Sequence, residues 1–285
     1  MGSLNHRYLI LLTSVLLTAC STLERKAAVP SSDLSKAQIA GQASSRYLIA
    51  TNTGINTFVA DVDAMNKKMN KQSQGGKSHY LSLSGGGDNG AFGAGLLVGW
   101  TENGTRPAFD LVTGISTGAL IAPFAYLGKE YDPVLKEVYT EIKPSDVFKA
   151  RSFLAGIFSD GLADTSPLLR LISKHVNAEF LQKVAHEYNK NGRWLLIGTT
   201  NIDAGTPVIW NMGQIASIGT PESLELFRRI LLASASIPGA FPPVMFDFMI
   251  DGKEFHAMSE SAKQTAAVAL MLHNRVREAA ALLLL

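Results

Sequence analysis

An α/β fold of three layers, with helices on both faces of a mainly parallel sheet, is what this sequence predicts. Three observations predict it. From about residue 79 onward, apolar runs of strand length alternate with longer segments of helical length. Two of the strand-to-helix junctions are rich in glycine. One of them, Gly114-Ile115-Ser116-Thr117-Gly118, carries a serine at its centre, and the other, Gly85 to Gly90, lies one strand–helix unit earlier.

Taken in order, the chain starts with His6 and Arg7, followed by the apolar run Tyr8 to Ala19. That run has the length of a signal peptide and is too short to span a bilayer. It ends Leu17-Thr18-Ala19-Cys20, which is similar to a bacterial lipobox. The resemblance implies that residues 1–19 are removed and that Cys20, the single cysteine in the chain, is lipidated. Several acyl chains on one residue would anchor the protein firmly. Ser21 rather than Asp in the next position implies the outer membrane of a bacterial envelope. Residues 20–78 read as a tether and a helical extension. The stretch from Ser21 to about Ser45 is polar, Ile55 to Met69 has helical spacing, and Gln72 to Ser78 is a linker.

The core begins with the alternating strand His79 to Ser84, the glycine loop, and an apolar helix from Ala91 to Trp100. Phe109 to Val112 is the next buried strand, and Ala119 to Leu127 the next helix. A serine on a sharp strand-to-helix turn is held with its hydroxyl outward. Glycines flank it because a Cβ at Gly114 or Gly118 would collide with the neighbouring strand or helix. The helix N-terminus beside Ser116 favours developing negative charge, as a nucleophilic serine needs. A chain of this composition gives on the order of 0.1–0.2 chance matches to the pattern, so its surroundings decide. For the loop two readings compete. Gly85-x-Gly87-x-x-Gly90 fits a dinucleotide fingerprint, with Asp110 placed to hold a ribose. Alternatively the N–H groups of Gly85, Gly86, Gly87 and Gly90 form an oxyanion hole for an intermediate made by Ser116. Only the second reading uses both motifs.

Further along, Tyr131 to Ile142 is a helical candidate, and Asp160-Gly161 marks a turn. A helix runs to Val176 with Ser166 as cap and Pro167 in its first turn, and another runs from Ala178 to Tyr188. Arg193 to Ile202 is a continuous apolar strand, with Pro207 to Trp210 pairing beside it as a hairpin. Pro221 to Ser234 is a well-marked helix. Asp251-Gly252 is a hairpin turn between Val244–Ile250 and Lys253–Met258. His175 and His186 stand on helical stretches without a carboxylate pattern, and read as surface residues rather than ligands or bases. Asp203 ends a buried strand, where an acid can be functional, but Asn201-x-Asp203-x-Gly205 reads as turn chemistry.

The order strand, GGGxxG, helix, strand, GxSxG, helix resembles the patatin-like phospholipase family. So does Ala233-Ser-Ala-Ser-Ile-Pro-Gly-Ala-Phe-Pro-Pro-Val244. The likeness covers about residues 79 to 255. It implies a lipid acyl hydrolase with a serine–aspartate dyad and no catalytic histidine, with Ser116 as nucleophile. The family's aspartate stands in an Asp-Gly-Gly or Asp-Gly-Ala motif at the end of the strand after the hairpin turn. The equivalent place here is near Ser259-Glu260-Ser261, and no aspartate follows Asp251. Asp251 and Glu260 are the two acids that could stand in for it. The acyl hydrolase domain is therefore expected over 79–258 and incomplete. Residues 259–285 form an atypical helical tail that suggests a truncated or altered C-terminus.

The chain has 285 residues, 46% hydrophobic and 18% charged, as one globular domain with attached extras does. Without Arg7, 25 basic residues face 24 acidic ones, so no basic surplus points to nucleic acid. No cofactor and no metal are called for. Two alternatives stand beside the anchored hydrolase. One is a catalytically impaired lipoprotein that keeps the fold, and the other is a Rossmann-type nucleotide-binding protein.

Overall fold

The computed structural model describes residues 25–39, 45–73, 78–141, 149–150 and 163–261. Cys20, the apolar leader, the Asp160-Gly161 turn and the tail after residue 261 lie outside them.

Residues 25–39 are not a free tether. Arg25 grips Asp203 with both guanidinium nitrogens, at 2.9 and 3.1 Å. Ala28 bridges to His256, and Val29, Leu34 and Ala37 are buried in the main core. Strand β1 (Gln38–Ile39) adds to the sheet edge, and β2 (Arg46–Tyr47) pairs further on. The polar composition of this stretch hid its few apolar anchors. Helix α1 (Asn52–Ser73) is capped by Thr51, whose hydroxyl accepts the Gly54 N–H at 3.0 Å. It buries Phe58, Val62 and Met65, at the i, i+4, i+7 spacing of one helix face.

The core then runs β3 (Tyr80–Leu83), α2 (Gly90–Glu102), β4 (Leu111–Gly114) and α3 (Thr117–Leu127). After it come the short α4 (Asp132–Lys136), a π-type turn over Glu137–Glu141, and the small ribbon β5 (Lys149–Ala150) and β6 (Ala163–Asp164). The helix expected over 131–142 is thus broken into pieces. Helices α5 (Ser166–His175) and α6 (Ala178–Asn191) follow. The α5 cap position is Thr165 rather than Ser166, and the Asp164 carboxylate takes the Ser166 N–H. Strands β7 (Trp194–Asn201) and β8 (Thr206–Asn211) form the first hairpin, followed by α7 (Met212–Ile218) and α8 (Pro221–Ala235). Thr220 and Ser223 cap α8 reciprocally, and Pro221 opens it. Strands β9 (Val244–Ile250) and β10 (Lys253–Glu260) form the second hairpin.

The sheet is mixed, not mainly parallel as the strand–helix alternation suggests. Only β3, β4 and β7 run parallel. Among the described residues every other strand-to-strand pairing in this eight-stranded sheet is antiparallel, because the chain turns back through hairpins after residues 201 and 250; the isolated Ala28–His256 bridge is parallel. Its two faces carry separate cores. Val112, Leu195 and Ile197 face α2, α3 and α5–α8, whereas Leu111, Trp194 and Leu196 face α1. The α/β character and helices on both faces agree with expectation; among the described residues the second face is covered by α1.

Candidate active site

Ser116 stands between β4 and α3 with φ 54° and ψ −128°. A non-glycine residue rarely adopts this region, and holding one there costs about 1–3 kcal/mol that surrounding contacts must offset. The contacts are visible. Ile115 donates its N–H to the Leu83 carbonyl at 3.2 Å, while the Gly118 and Ala119 N–H groups close the first helical turn on Ile115 and Ser116. A Cβ on Gly118 would lie 2.3 Å from the Leu83 oxygen, and one on Gly114 2.6 Å from the Gly118 oxygen. Both glycines are required by close approach of backbone.

The glycine loop lies against this turn. A Cβ on Gly85 would come within 2.9 Å of the Ser116 Cβ, and one on Gly90 within 2.1 Å of Thr117 Oγ1. Gly87 has φ 54°, so the chain folds over without a side chain. The Gly90 N–H closes the turn onto Gly87 and Asp88, whereas among the described residues no acceptor takes the N–H groups of Gly85, Gly86 or Gly87. Ser116, Gly85, Gly86, Gly87, Gly90, Gly114 and Gly118 thus come together at one end of the sheet. Asp110 does not. Its carboxylate accepts the His79 N–H at 2.7 Å, at the opposite end of β3 and β4 from the loop. That separation, about 13 Å of strand, removes the ribose-binding acid on which the dinucleotide reading depends.

Register along β7 explains how the rest of the site assembles. One edge of β7 pairs with β8 over Leu196–Asn201. The other edge pairs with β4 over Trp194–Ile197 and then with the end of β10, Ser259 and Glu260 facing Asn201 and Thr200. Strands β4 and β10 therefore meet end-on, separated by Gly198 and Thr199, roughly 10 Å of strand. Ser116 enters this gap from one side and Ser261 from the other. The Ser261 N–H donates to the Ser236 carbonyl at 2.8 Å. From the flank, the buried Ser234 hydroxyl accepts the Ser116 N–H at 3.0 Å and donates to the Gly198 carbonyl at 2.7 Å.

The candidate acids sit elsewhere. Asp251, with φ 50°, is at the exposed tip of the β9–β10 hairpin. It is eight positions from Ser259 along β10, about 26 Å, and Lys36 is near it. Glu260 alternates onto the face opposite the buried Ala257 and Ser259. The position that continues the Ala257–Ser259 face into the gap is 261. Asp203 is structural, as the turn pattern suggests. Its carboxylate takes Arg25 and the Met258 N–H at 2.9 Å, and Asn201 Oδ1 accepts the Asp203 and Ala204 N–H groups. Beside the elbow, Tyr139 Oη is 2.8 Å from Thr117 Oγ1, and burial pushes its phenol up to about 12 despite that hydrogen bond. It stays neutral near pH 7 and is no general base. His186 is on the surface, but His175 is mostly buried edge-on against Phe124, and burial lowers its pKa. Among the described residues, no three His, Cys, Asp or Glu side chains gather as metal ligands would.

A family model, that of the patatin-like phospholipases, matches residues 81–254, more than half of the chain. The chain belongs to the patatin-like phospholipase family. Its members are hydrolases, so an α/β lipid acyl hydrolase is the coarse identity of this domain. The match opens within β3, spans the glycine loop and the elbow, and ends two residues into β10, short of the gap at residue 261. No curated protein matches the chain. The family likeness pointed to the neighbourhood of Ser261, but Ser234 was not recognisable as a neighbour of Ser116 from spacing. The stretch Ala233 to Val244 carried the family likeness, but only the fold shows which of its serines faces the elbow.

Proposed function

We propose that the domain is a serine acyl hydrolase for phospholipids or other acyl esters, with Ser116 as nucleophile and the Gly85–Gly87 N–H groups as oxyanion hole. The observation that carries this is the approach of the glycine loop to within van der Waals distance of a serine in a strained strand-to-helix turn. In that reading Ser116 Oγ attacks the acyl carbonyl, and the tetrahedral oxygen settles among amides that have no other acceptor among the described residues. The alcohol departs, and water releases the acyl group from Ser116. An apolar stripe supports a lipid substrate. Phe92, Leu96 and Trp100, spaced four apart on α2, are 77, 59 and 36% exposed, and the stripe begins beside Gly90.

The reading also makes this chain slow. A dyad acid belongs at position 261, which is Ser261. A serine hydroxyl without a base loses several orders of magnitude in rate. Asp251 and Glu260 are not substitutes, for the reasons of distance and face given above. Cys20, lipidated, would hold the domain at the bacterial outer membrane. Four residues separate it from Arg25, which is fixed to Asp203, so five Cα steps set a reach of at most about 18 Å.

Ser116→Ala should abolish residual esterase activity and covalent labelling by a fluorophosphonate, with little loss of stability, since no core volume changes. Labelling of wild type and variant alike would place the nucleophile elsewhere. Cys20→Ser should shift the protein out of the detergent-extracted membrane fraction. Unchanged fractionation, with no acyl mass on the wild type, would remove the anchor.

A further inference from the structure

We infer that Ser234 is a positioning residue that locks the elbow, bridging the Ser116 N–H to the Gly198 carbonyl across the gap between β4 and β10. The inference rests on the reading of Ser116 as nucleophile, and it adds a residue that never touches substrate.

Ser116 has left the β4 ladder and has not entered the α3 hydrogen-bond pattern, so its N–H has no regular partner. At the same level the Gly198 carbonyl of β7 takes its hydrogen bond from a side chain, the Ser234 hydroxyl. The Ser234 side chain answers both needs. It is 0% exposed, and the polarity of its two bonds is forced. A backbone N–H can only donate and a carbonyl can only accept. The hydroxyl must therefore accept from Ser116 at 3.0 Å and donate to Gly198 at 2.7 Å. An alanine could do neither, and a buried N–H and a buried carbonyl would lose their partner together. What holds Ser116 at positive φ on this side is a single hydroxyl from a helix 118 residues away.

The same helix end supplies a matched control. Ser236 is also 0% exposed, but its hydroxyl donates to Leu232, one turn back in α8, and is not bonded to the elbow. Both alanine variants remove one buried hydroxyl from one helix terminus. Only one of them frees Ser116.

The experiment compares full-chain Ser234→Ala, Ser234→Thr and Ser236→Ala with wild type. It reads amide hydrogen exchange at Ser116 against that at Leu195, and the rate of fluorophosphonate attachment to Ser116 as separate affinity and rate constants. Ser234→Ala should speed Ser116 exchange about tenfold relative to Leu195 and slow the attachment step by about tenfold, with probe affinity unchanged. Ser234→Thr, which keeps the hydroxyl, should restore both, and Ser236→Ala should move neither. Equal exchange at Ser116 in the two alanine variants would overturn the latch. If the wild type takes no probe while Ser116 exchange still responds to Ser234→Ala, the latch is supported, and the attachment step is then read in a background carrying Ser261→Asp, Ala262→Gly and Lys263→Gly, where a lack of labelling would count against the nucleophile.

Discussion

At Ser116 the sequence pattern and the backbone tell the same story from two directions. Gly114 and Gly118 are glycine because a Cβ would sit inside the van der Waals radius of backbone oxygens, and this need can be read from spacing alone. The strained φ of 54° is its counterpart. Glycine adopts that region freely, so Ser116→Gly should melt higher than Ser116→Ala, by roughly 1 kcal/mol of stability after glycine's own entropic cost. Both variants should be inactive. Equal melting temperatures would mean that the elbow is not strained. Ser234 shows the limit of reading residues. A serine within an α8 that otherwise reads as amphipathic carries no local signal, because its partners, Ser116 and Gly198, are 118 and 36 positions away.

Among the elements, the two hairpins decide what could be foreseen. Asp251-Gly252 announced the turn of β9 and β10, since Asp251 at φ 50° and Gly252 at φ 77° are residues suited to such a turn. Nothing in the strand itself announced its register on β7, which is what brings residue 261 in front of Ser116. The extension of β10 to Glu260 also takes the first residues of the expected helical tail into the sheet. The parallel portion was legible because β3, β4 and β7 are separated by helices, and the antiparallel portion was not, because strand alternation does not encode which edge a hairpin joins. The N-terminal strap was missed for a related reason: its grip is two ion pairs, Arg25–Asp203 and Lys26–Glu254, backbone hydrogen bonds to His256, and a few apolar side chains. That grip can be tested. Asp203→Ala leaves the Arg25 guanidinium and the Met258 N–H without their acceptor, at a cost of about 1–3 kcal/mol. Trypsin should then cut after Arg25 and Lys26 faster than in wild type. Unchanged cleavage would show that the Lys26 and Ala27 contacts with Glu254 and His256, together with Val29, Leu34 and Ala37, hold the strap without Asp203.

For the molecule as a whole, charged groups inside the fold set how it responds to acid. Arg193 donates to Phe109, Tyr126 and Glu187, tying β7 to the end of α3 and to α6. Burial pushes the Glu187 carboxyl up, but hydrogen bonds from Asn191 and Arg193 outweigh it, and the net pKa lies below 4.5. A carboxyl depressed in the folded state stabilises the protein above its unfolded pKa and loses that contribution as pH falls through the folded value. Glu187→Gln should therefore be less stable than wild type at pH 7, and the difference should shrink below about pH 4.5. A constant difference across that range in urea midpoints would contradict it.

The proposed nucleophile and oxyanion loop stand, in this reading, beside a position that lacks its acid. The most direct measurement is hydrolysis of a short-chain acyl ester by this chain and by a version carrying Ser261→Asp, Ala262→Gly and Lys263→Gly, each with and without Ser116→Ala. The account predicts a weak or absent rate for the chain itself. It predicts a gain of at least about a hundredfold on repair, in line with the range for a positioned general base, and loss of that gain with Ser116→Ala. Full activity in the unrepaired chain, abolished by Asp251→Asn, would contradict it and make Asp251 the partner of Ser116.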